Sequence, residues 1–295
     1  MEVVASKFSG FCNGVSRSIS LLKREIEAGN PVFLSSELVH NNLVTTEFAK
    51  QNVRFLNEVL DANGFVKKEC LPETKESTLV IAAHGIPYSE FLKIETSFKK
   101  IVDTTCPVVK KREMDIRSTL EKNKSEVILF LKSESHSEVK CISNNLDTRI
   151  YIVKLGDSTE VLSLLDKLKF YTLHTQTTFP PSELEKYVAY LKEKGYRYEI
   201  KSRICPSCEE RQSDCKNLAS ASSVVVVVGS FHSSNANELL NIARSKGKDA
   251  YLVEDVCDLN KISFEKDAVC ALISSASSSS DTFYSIKEAL EKLAL

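Results

Sequence analysis

Three cysteines stand in the same local setting, each opening a stretch with helical patterning: Gly10-Phe11-Cys12-Asn13-Gly14, Thr104-Thr105-Cys106-Pro107 and Arg203-Ile204-Cys205-Pro206. They lie 94 and 99 residues apart, too far for a local zinc knuckle, so they can act together only in a folded centre. Three thiolates suit an iron–sulfur cluster and would leave one iron without a protein ligand. Such an open metal position can act as a Lewis acid on a substrate oxygen. A helix start also favours the thiolate over the thiol. A rival metal reading places zinc on Cys205 and Cys208 with Cys215, but the pair that would complete a structural zinc site is missing. Cys70, Cys141, Cys257 and Cys270 read as structural.

Polar residues recur at fixed distances from the same cysteines. His40, His136 and Ser233 follow them at offsets of 28, 30 and 28, and His84, Thr177 and Ser278 at 72, 71 and 73. The recurrence describes three similar α/β units, with expected boundaries 1–105, 106–204 and 205–295, each of ordinary domain size. Ligands of open α/β sheets collect at the carboxyl ends of the strands. Three units facing one another would pool three thiols and about six polar side chains in one cleft. His40-Asn41, His84, Ser233-Ser234-Asn235 and Ser278 offer the imidazole, amide and hydroxyl donors that a diphosphate requires, although Asn235 alone would read as a helix cap. Glu138, two residues beyond His136, and Thr177 form a carboxyl–hydroxyl pair able to relay a proton to a departing oxygen.

The elements that must position these groups alternate along the chain. Strands are expected at Pro31–Leu34, Leu79–Ala82, Val127–Leu131, Arg149–Val153, Phe170–Leu173, Val224–Val228, Ala250–Val253 and Val269–Ile273. Helices are expected at Val15–Glu27, Pro107–Glu121, Ser182–Lys194, Arg211–Ala219 and Asn237–Lys246. This alternation is the mark of parallel sheets covered by helices. The run Ser274–Ser280 reads as a hydroxyl-rich turn between a strand and a closing helix.

Of the 295 residues, 42% are hydrophobic, and 39 Lys and Arg nearly balance 40 Asp and Glu. A net charge of −1 gives no field to attract nucleic acid or an acidic membrane. The longest apolar run, Val224–Val228, is far short of a membrane span. The N-terminus lacks the basic start and apolar stretch of a secretion signal. A cytoplasmic location is therefore expected, with the nine cysteines kept reduced.

The motifs, taken in order and spacing, resemble the LytB/IspH family of 4-hydroxy-3-methylbut-2-enyl diphosphate reductases over nearly the whole chain. The resemblance is carried by Gly10–Val15, Val39-His40-Asn41, Ala83-His84-Gly85, Asp103–Pro107, His136–Val139, Thr175–Thr178, Ile204-Cys205, Arg211-Gln212 and Gly229-Ser230 with Ser233-Ser234-Asn235. It implies three α/β domains in pseudo-threefold arrangement around one 4Fe-4S cluster bound by Cys12, Cys106 and Cys205 with an open iron. It implies diphosphate binding by His40, His84, His136, Ser233, Ser234, Asn235 and Ser278, proton delivery by Glu138 aided by Thr177, and electrons from a ferredoxin or flavodoxin. The implied reaction yields isopentenyl and dimethylallyl diphosphate. Ser135, Ser137, Cys141 and Cys208 depart from the family's usual residues. The competing readings are a LytB-like protein acting on another small diphosphate or hydroxylated substrate, and a metal- or cluster-holding protein without turnover.

Overall fold

The structure is a computed structural model that describes residues 1–39, 41–122, 125–143 and 148–293. Its strands in chain order are β1 (Glu2–Ala5), β2 (Val32–Leu34), β3 (Arg54–Phe55), β4 (Thr78–Ile81), β5 (Lys100–Asp103), β6 (Glu126–Leu131), β7 (Ile150–Lys154), β8 (Phe170–Thr175), β9 (Arg197–Ile200), β10 (Val224–Val228), β11 (Asp249–Val253) and β12 (Val269–Ser274). Its helices are α1 (Asn13–Glu27), α2 (Asn42–Ala49), α3 (Leu71–Thr74), α4 (Tyr88–Ile94), α5 (Pro107–Glu121), α6 (Ser137–Ile142), α7 (Pro181–Glu193), α8 (Pro206–Ala221), α9 (Ser234–Ser245) and α10 (Ser280–Leu293).

The strands form three four-stranded sheets with the orders β3-β2-β4-β5, β7-β6-β8-β9 and β11-β10-β12-β1. Every ladder within them is parallel. The order is the same three times, as the recurrent offsets anticipated, with the N-terminal β1 taking the fourth place in the sheet of β10–β12. Each of the three spaced cysteines comes shortly after a fourth strand: Cys12 after β1, Cys106 after β5 and Cys205 after β9.

The chain divides into two compact units, one of residues 1–19, 39–51 and 206–295 and the other of residues 20–38 and 52–205. In the first, the five valines of β10 are all buried and alternate between two cores. Val225 and Val227 pack with Cys215, Ala219, Leu239 and Ala243 of α8 and α9. Val224, Val226 and Val228 pack with Phe283, Ile286 and Leu290 of α10. A strand covered on both faces has no polar alternation to show, which is why it reads as one apolar run.

β6 repeats the arrangement in the second unit. Ile128 and Phe130 meet Leu184, Tyr187 and Leu191 of α7, whereas Val127, Leu129 and Leu131 meet Val109 and Ile116 of α5 and Val139 and Ile142 of α6. The strands absent from the sequence reading, β1, β3, β5 and β9, all lie at sheet edges. They are short and only half-buried. Two helices begin three or more residues earlier than expected: α8 has Pro206 at its first position, where the missing N–H costs nothing, and α9 starts at Ser234 behind a Ser233 cap.

Candidate active site

The second unit holds the carboxyl group. His136 is the N-cap of α6, its Nδ1 accepting the Glu138 N–H at 3.2 Å. The cap also places Glu138 in the first helical turn, where the chain buries it to 3% exposure. Its Oε1 accepts from the Thr177 N–H at 2.8 Å and from the Arg112 guanidinium at 3.1 Å. Its Oε2 meets Thr177 Oγ1 at 2.5 Å.

Burial pushes the Glu138 carboxyl above the usual carboxylate range, and the Arg112 charge and the Thr177 hydrogen bonds oppose that shift without cancelling it. The protein itself thus removes the group from water. With Oε1 occupied by two N–H donors, the proton of the acid form sits on Oε2, against the Thr177 hydroxyl. That hydroxyl is half-buried and can take the proton while passing on its own.

His84 lies buried in the turn after β4, with Nε2 2.9 Å from Ser36 Oγ. The following Gly85 has φ +84°. A Cβ added there would lie 2.5 Å from Cys141 Sγ, so the His84 turn packs directly on α6. Cys141 is pushed up to about 12, first by burial and then by Glu113 and Glu138, and it is no candidate thiolate.

In the first unit, the hydroxyl-rich ends of β10 and β12 form one network with α9. Ser233 Oγ caps Ala236 N–H at 3.3 Å and accepts from Ser277 Oγ at 3.3 Å. Ser278 Oγ donates to Val228 O at 2.9 Å and lies 2.8 Å from Ser275 Oγ. Asn41 Nδ2 donates to Ser277 O at 2.7 Å. Asn235 is not the cap; its Oδ1 accepts the Ala276 N–H at 2.9 Å, while its Nδ2 is buried with no partner. A buried amide donor left over in this way is suited to an anionic ligand oxygen. Ser234 opens α9 half-buried, and His40 lies outside the described residues.

The three spaced cysteines are half-buried, whereas Cys141, Cys208, Cys215 and Cys270 are buried. Cys106 is the N-cap of α5; Cys12 and Cys205 immediately precede α1 and α8. The zinc reading of Cys205, Cys208 and Cys215 fails on Cys215, whose thiol donates to Leu239 O in the α8–α9 core and is pushed up to about 12 by burial. Among the described residues no three His, Cys, Asp or Glu side chains group around a single ion.

Two buried residues, Arg112 and His174, were not singled out from the sequence, and a third, Arg211, was quoted there only as part of a motif with no role assigned. Arg112 is 2% exposed and bridges Glu138 to the Arg203 carbonyl at 2.7 Å. Arg211 donates to Phe8 O, Gly10 O and Ser274 O at 3.0, 2.8 and 2.8 Å. His174 is fully buried, with Ser202 Oγ 3.2 Å from Nδ1 and no partner on Nε2.

The chain is thus a parallel α/β protein with one sheet plan used three times and a buried carboxyl–hydroxyl pair beyond the carboxyl end of a strand, where ligands of such sheets collect. The family model described as LytB protein matches residues 3–291, and the chain is a member of that family. It is 33% identical over 251 residues to the 4-hydroxy-3-methylbut-2-enyl diphosphate reductase of Chromobacterium violaceum, covering 83% of this chain and 76% of that one. The reductase of the same name from Dictyoglomus thermophilum is 30% identical over 284 residues, covering 96% and 94%. Among solved structures, the Plasmodium falciparum E-1-hydroxy-2-methyl-but-2-enyl-4-diphosphate reductase is similar with a TM-score of 0.83 at 24% identity, covering 100% of this chain and 88% of the other. The (E)-4-hydroxy-3-methyl-but-2-enyl diphosphate reductase that is the terminal enzyme of the non-mevalonate pathway is similar with a TM-score of 0.66 at 19% identity, covering 99% of both chains. Among the described residues no helix is long and apolar enough to cross a membrane.

Proposed function

We propose that this chain reductively removes the hydroxyl group of 4-hydroxy-3-methylbut-2-enyl diphosphate, giving isopentenyl and dimethylallyl diphosphate, in a reducing cytoplasm. The observation that carries the reading is the Glu138–Thr177 pair: a carboxyl held out of water, raised toward its acid form and joined to a half-open hydroxyl. The family membership and the names of its relatives agree with that chemistry.

The reaction consumes two electrons and two protons as the carbon–oxygen bond breaks and water leaves. Glu138 supplies the proton to the departing oxygen by way of Thr177. His84, His136, Asn41, Ser233, Ser234, Asn235 and Ser278, with His40, hold the diphosphate. The buried Asn235 amide donor supports that assignment, while the Ser278 proton, committed to Val228 O, must turn to reach a ligand. The three repeat units, cut near residues 105 and 204, each contribute one cysteine.

Cys12, Cys106 and Cys205 would hold the 4Fe-4S cluster. The fit rests on their chemistry: they are half-open thiols at the starts of the long helices α1, α5 and α8, whereas Cys70, also half-open, opens only the four-residue α3, and Cys141, Cys215 and Cys270 are buried and pushed up to about 12. When bound, the cluster supplies one-electron transfer and an open Lewis-acidic iron. The electrons come from a ferredoxin or flavodoxin. Anaerobic purification with iron and sulfide analysis, followed by turnover of the hydroxylated diphosphate with a low-potential donor, tests the proposal. A colourless protein, or a loaded one that leaves this substrate untouched, overturns it.

A further inference from the structure

We infer that Arg112 and Arg211 are a matched pair of positioning residues, each clamping the loop of a cysteine that belongs to the next repeat. Arg112 stands six residues after Cys106, and Arg211 six residues after Cys205. Arg112 donates to the carbonyl of Arg203, two residues before Cys205, at 2.7 Å. Arg211 donates to the carbonyl of Gly10, two residues before Cys12, at 2.8 Å. The same helix position in one repeat therefore grips the same loop position in the following one.

Both guanidinium groups are buried, at 2% and 4% exposure, and both leave Nε without a partner. A buried cation with an unmet donor is costly, so neither arginine is kept for stability alone. Each fork joins its cysteine loop to a second feature. Arg112 also holds Glu138 Oε1, and Arg211 also holds Phe8 O and the end of β12 at Ser274 O. In the clamped loops, Cys205 N–H donates to Thr177 O at 2.9 Å and Cys12 N–H to Ala276 O at 3.0 Å. The planar fork is what lets one side chain hold two directions at once.

The third loop shows why two arginines suffice. Six residues after Cys12 stands Ser18, whose hydroxyl turns back to Gly14 O at 3.1 Å. All three loops hydrogen-bond to their own sheets through the backbone, and the loop of Cys106 adds the Thr104 hydroxyl to that fastening. Thr104 N–H and Oγ1 both reach Ile81 O, at 3.2 and 2.5 Å, and Cys106 N–H reaches Ala83 O at 2.8 Å.

The cysteines' role as ligands rests on the reading under Proposed function; the clamps themselves do not. The test uses anaerobically purified full-length protein with Arg112→Lys, Arg211→Lys and, as a control, Arg149→Lys, whose guanidinium holds Leu120 O in no cysteine loop. Lysine keeps the charge and the fold but loses the fork. Backbone hydrogen exchange should rise about tenfold or more over residues 10–12 in Arg211→Lys alone and over 203–205 in Arg112→Lys alone, as expected for a lost charged hydrogen bond. Both variants should also shift the electron-paramagnetic-resonance signal of the reduced cluster and release iron faster to a chelator, with Arg149→Lys matching wild type. Unchanged exchange in the paired loops, or equal loosening of both loops in either variant, overturns the clamp. A wild type without iron would overturn the cluster reading, and the exchange measurements would still decide this one.

Discussion

Thr177 meets Glu138 at both carboxylate oxygens, through its N–H to Oε1 at 2.8 Å and through its hydroxyl to Oε2 at 2.5 Å. The two contacts have different consequences. The backbone contact, together with Arg112, reserves Oε1 as an acceptor, so the proton of the neutral acid has one place to sit. The hydroxyl contact puts that proton in line with the only member of the pair that is half-open to solvent.

Glu138→Gln should retain the cluster and the affinity for the diphosphate while losing turnover by roughly a hundredfold to ten-thousandfold. The amide oxygen can take the Arg112 and Thr177 N–H donors, and the amide NH2 can face Thr177 Oγ1, so the pocket keeps its shape. What glutamine lacks is a proton to give. Steady-state rates beside a substrate titration separate the two effects; turnover within a few-fold of wild type, with the cluster intact, would move the proton route elsewhere.

Thr177→Val keeps the N–H bond to Oε1 and removes the hydroxyl. The loss of one hydrogen bond to a charged partner should cost turnover roughly ten- to a hundredfold. The sign of its pH effect is fixed by the same contact. Thr177 lowers the Glu138 pKa against burial, so its removal should let the acid form persist to higher pH and carry the alkaline limb of kcat/KM upward. A lower rate with an unmoved limb would mean that Thr177 only shapes the pocket.

Cys12→Ser, Cys106→Ser and Cys205→Ser should each abolish the brown colour and the iron and sulfide content, because a serine oxygen is a poor ligand for such a cluster. Cys70→Ser and Cys208→Thr should retain both. Cys70 ends a short turn of helix and Cys208 is buried along α8. Full loading in the first three variants would show that the wrong thiols were chosen.

The division between what sequence reveals and what it hides follows burial. β10 and β6 are legible because both faces are covered, which leaves a run of apolar residues. β3 and β9 carry arginine, tyrosine and glutamate on edges, and nothing in their order separates them from loop. Among the site residues, His136 and Ser233 were legible from their recurrent spacing, but their capping was not: the sequence offered Asn235 as the cap, and the structure places it at Ser233. Arg112 was hidden as well. In Lys110-Lys111-Arg112-Glu113 it looks like one charge on a solvated helix face, and only packing against α6 reveals that this particular side chain is taken inside. The repeated spacing from Cys106 and Cys205 was the available signal. The Glu138 acid was legible as a residue, but its environment was not, because burial belongs to the tertiary structure.

His174 should dominate part of the acid sensitivity of the fold. Its ring is fully buried, its Nε2 has no partner, and its pKa is lowered to about 3 by burial first and by the Arg112 and Lys201 charges next. An unfolded chain protonates this histidine near its ordinary value of about 6.5. The folded state binds fewer protons between the two values, so the stabilisation is fully present above pH 6.5 and is lost as the pH falls toward 3. A displacement of that size corresponds to roughly 4–5 kcal/mol at most. His174→Asn keeps an acceptor near Ser202 but cannot titrate. Its stability at neutral pH should fall, since asparagine fills less of the buried space, yet its slope between pH 6.5 and 4 should be shallower than that of wild type. Urea unfolding at a series of pH values measures both. Parallel curves for the two proteins would mean that His174 does not charge on unfolding in this range and that other carboxylates account for the whole acid limb.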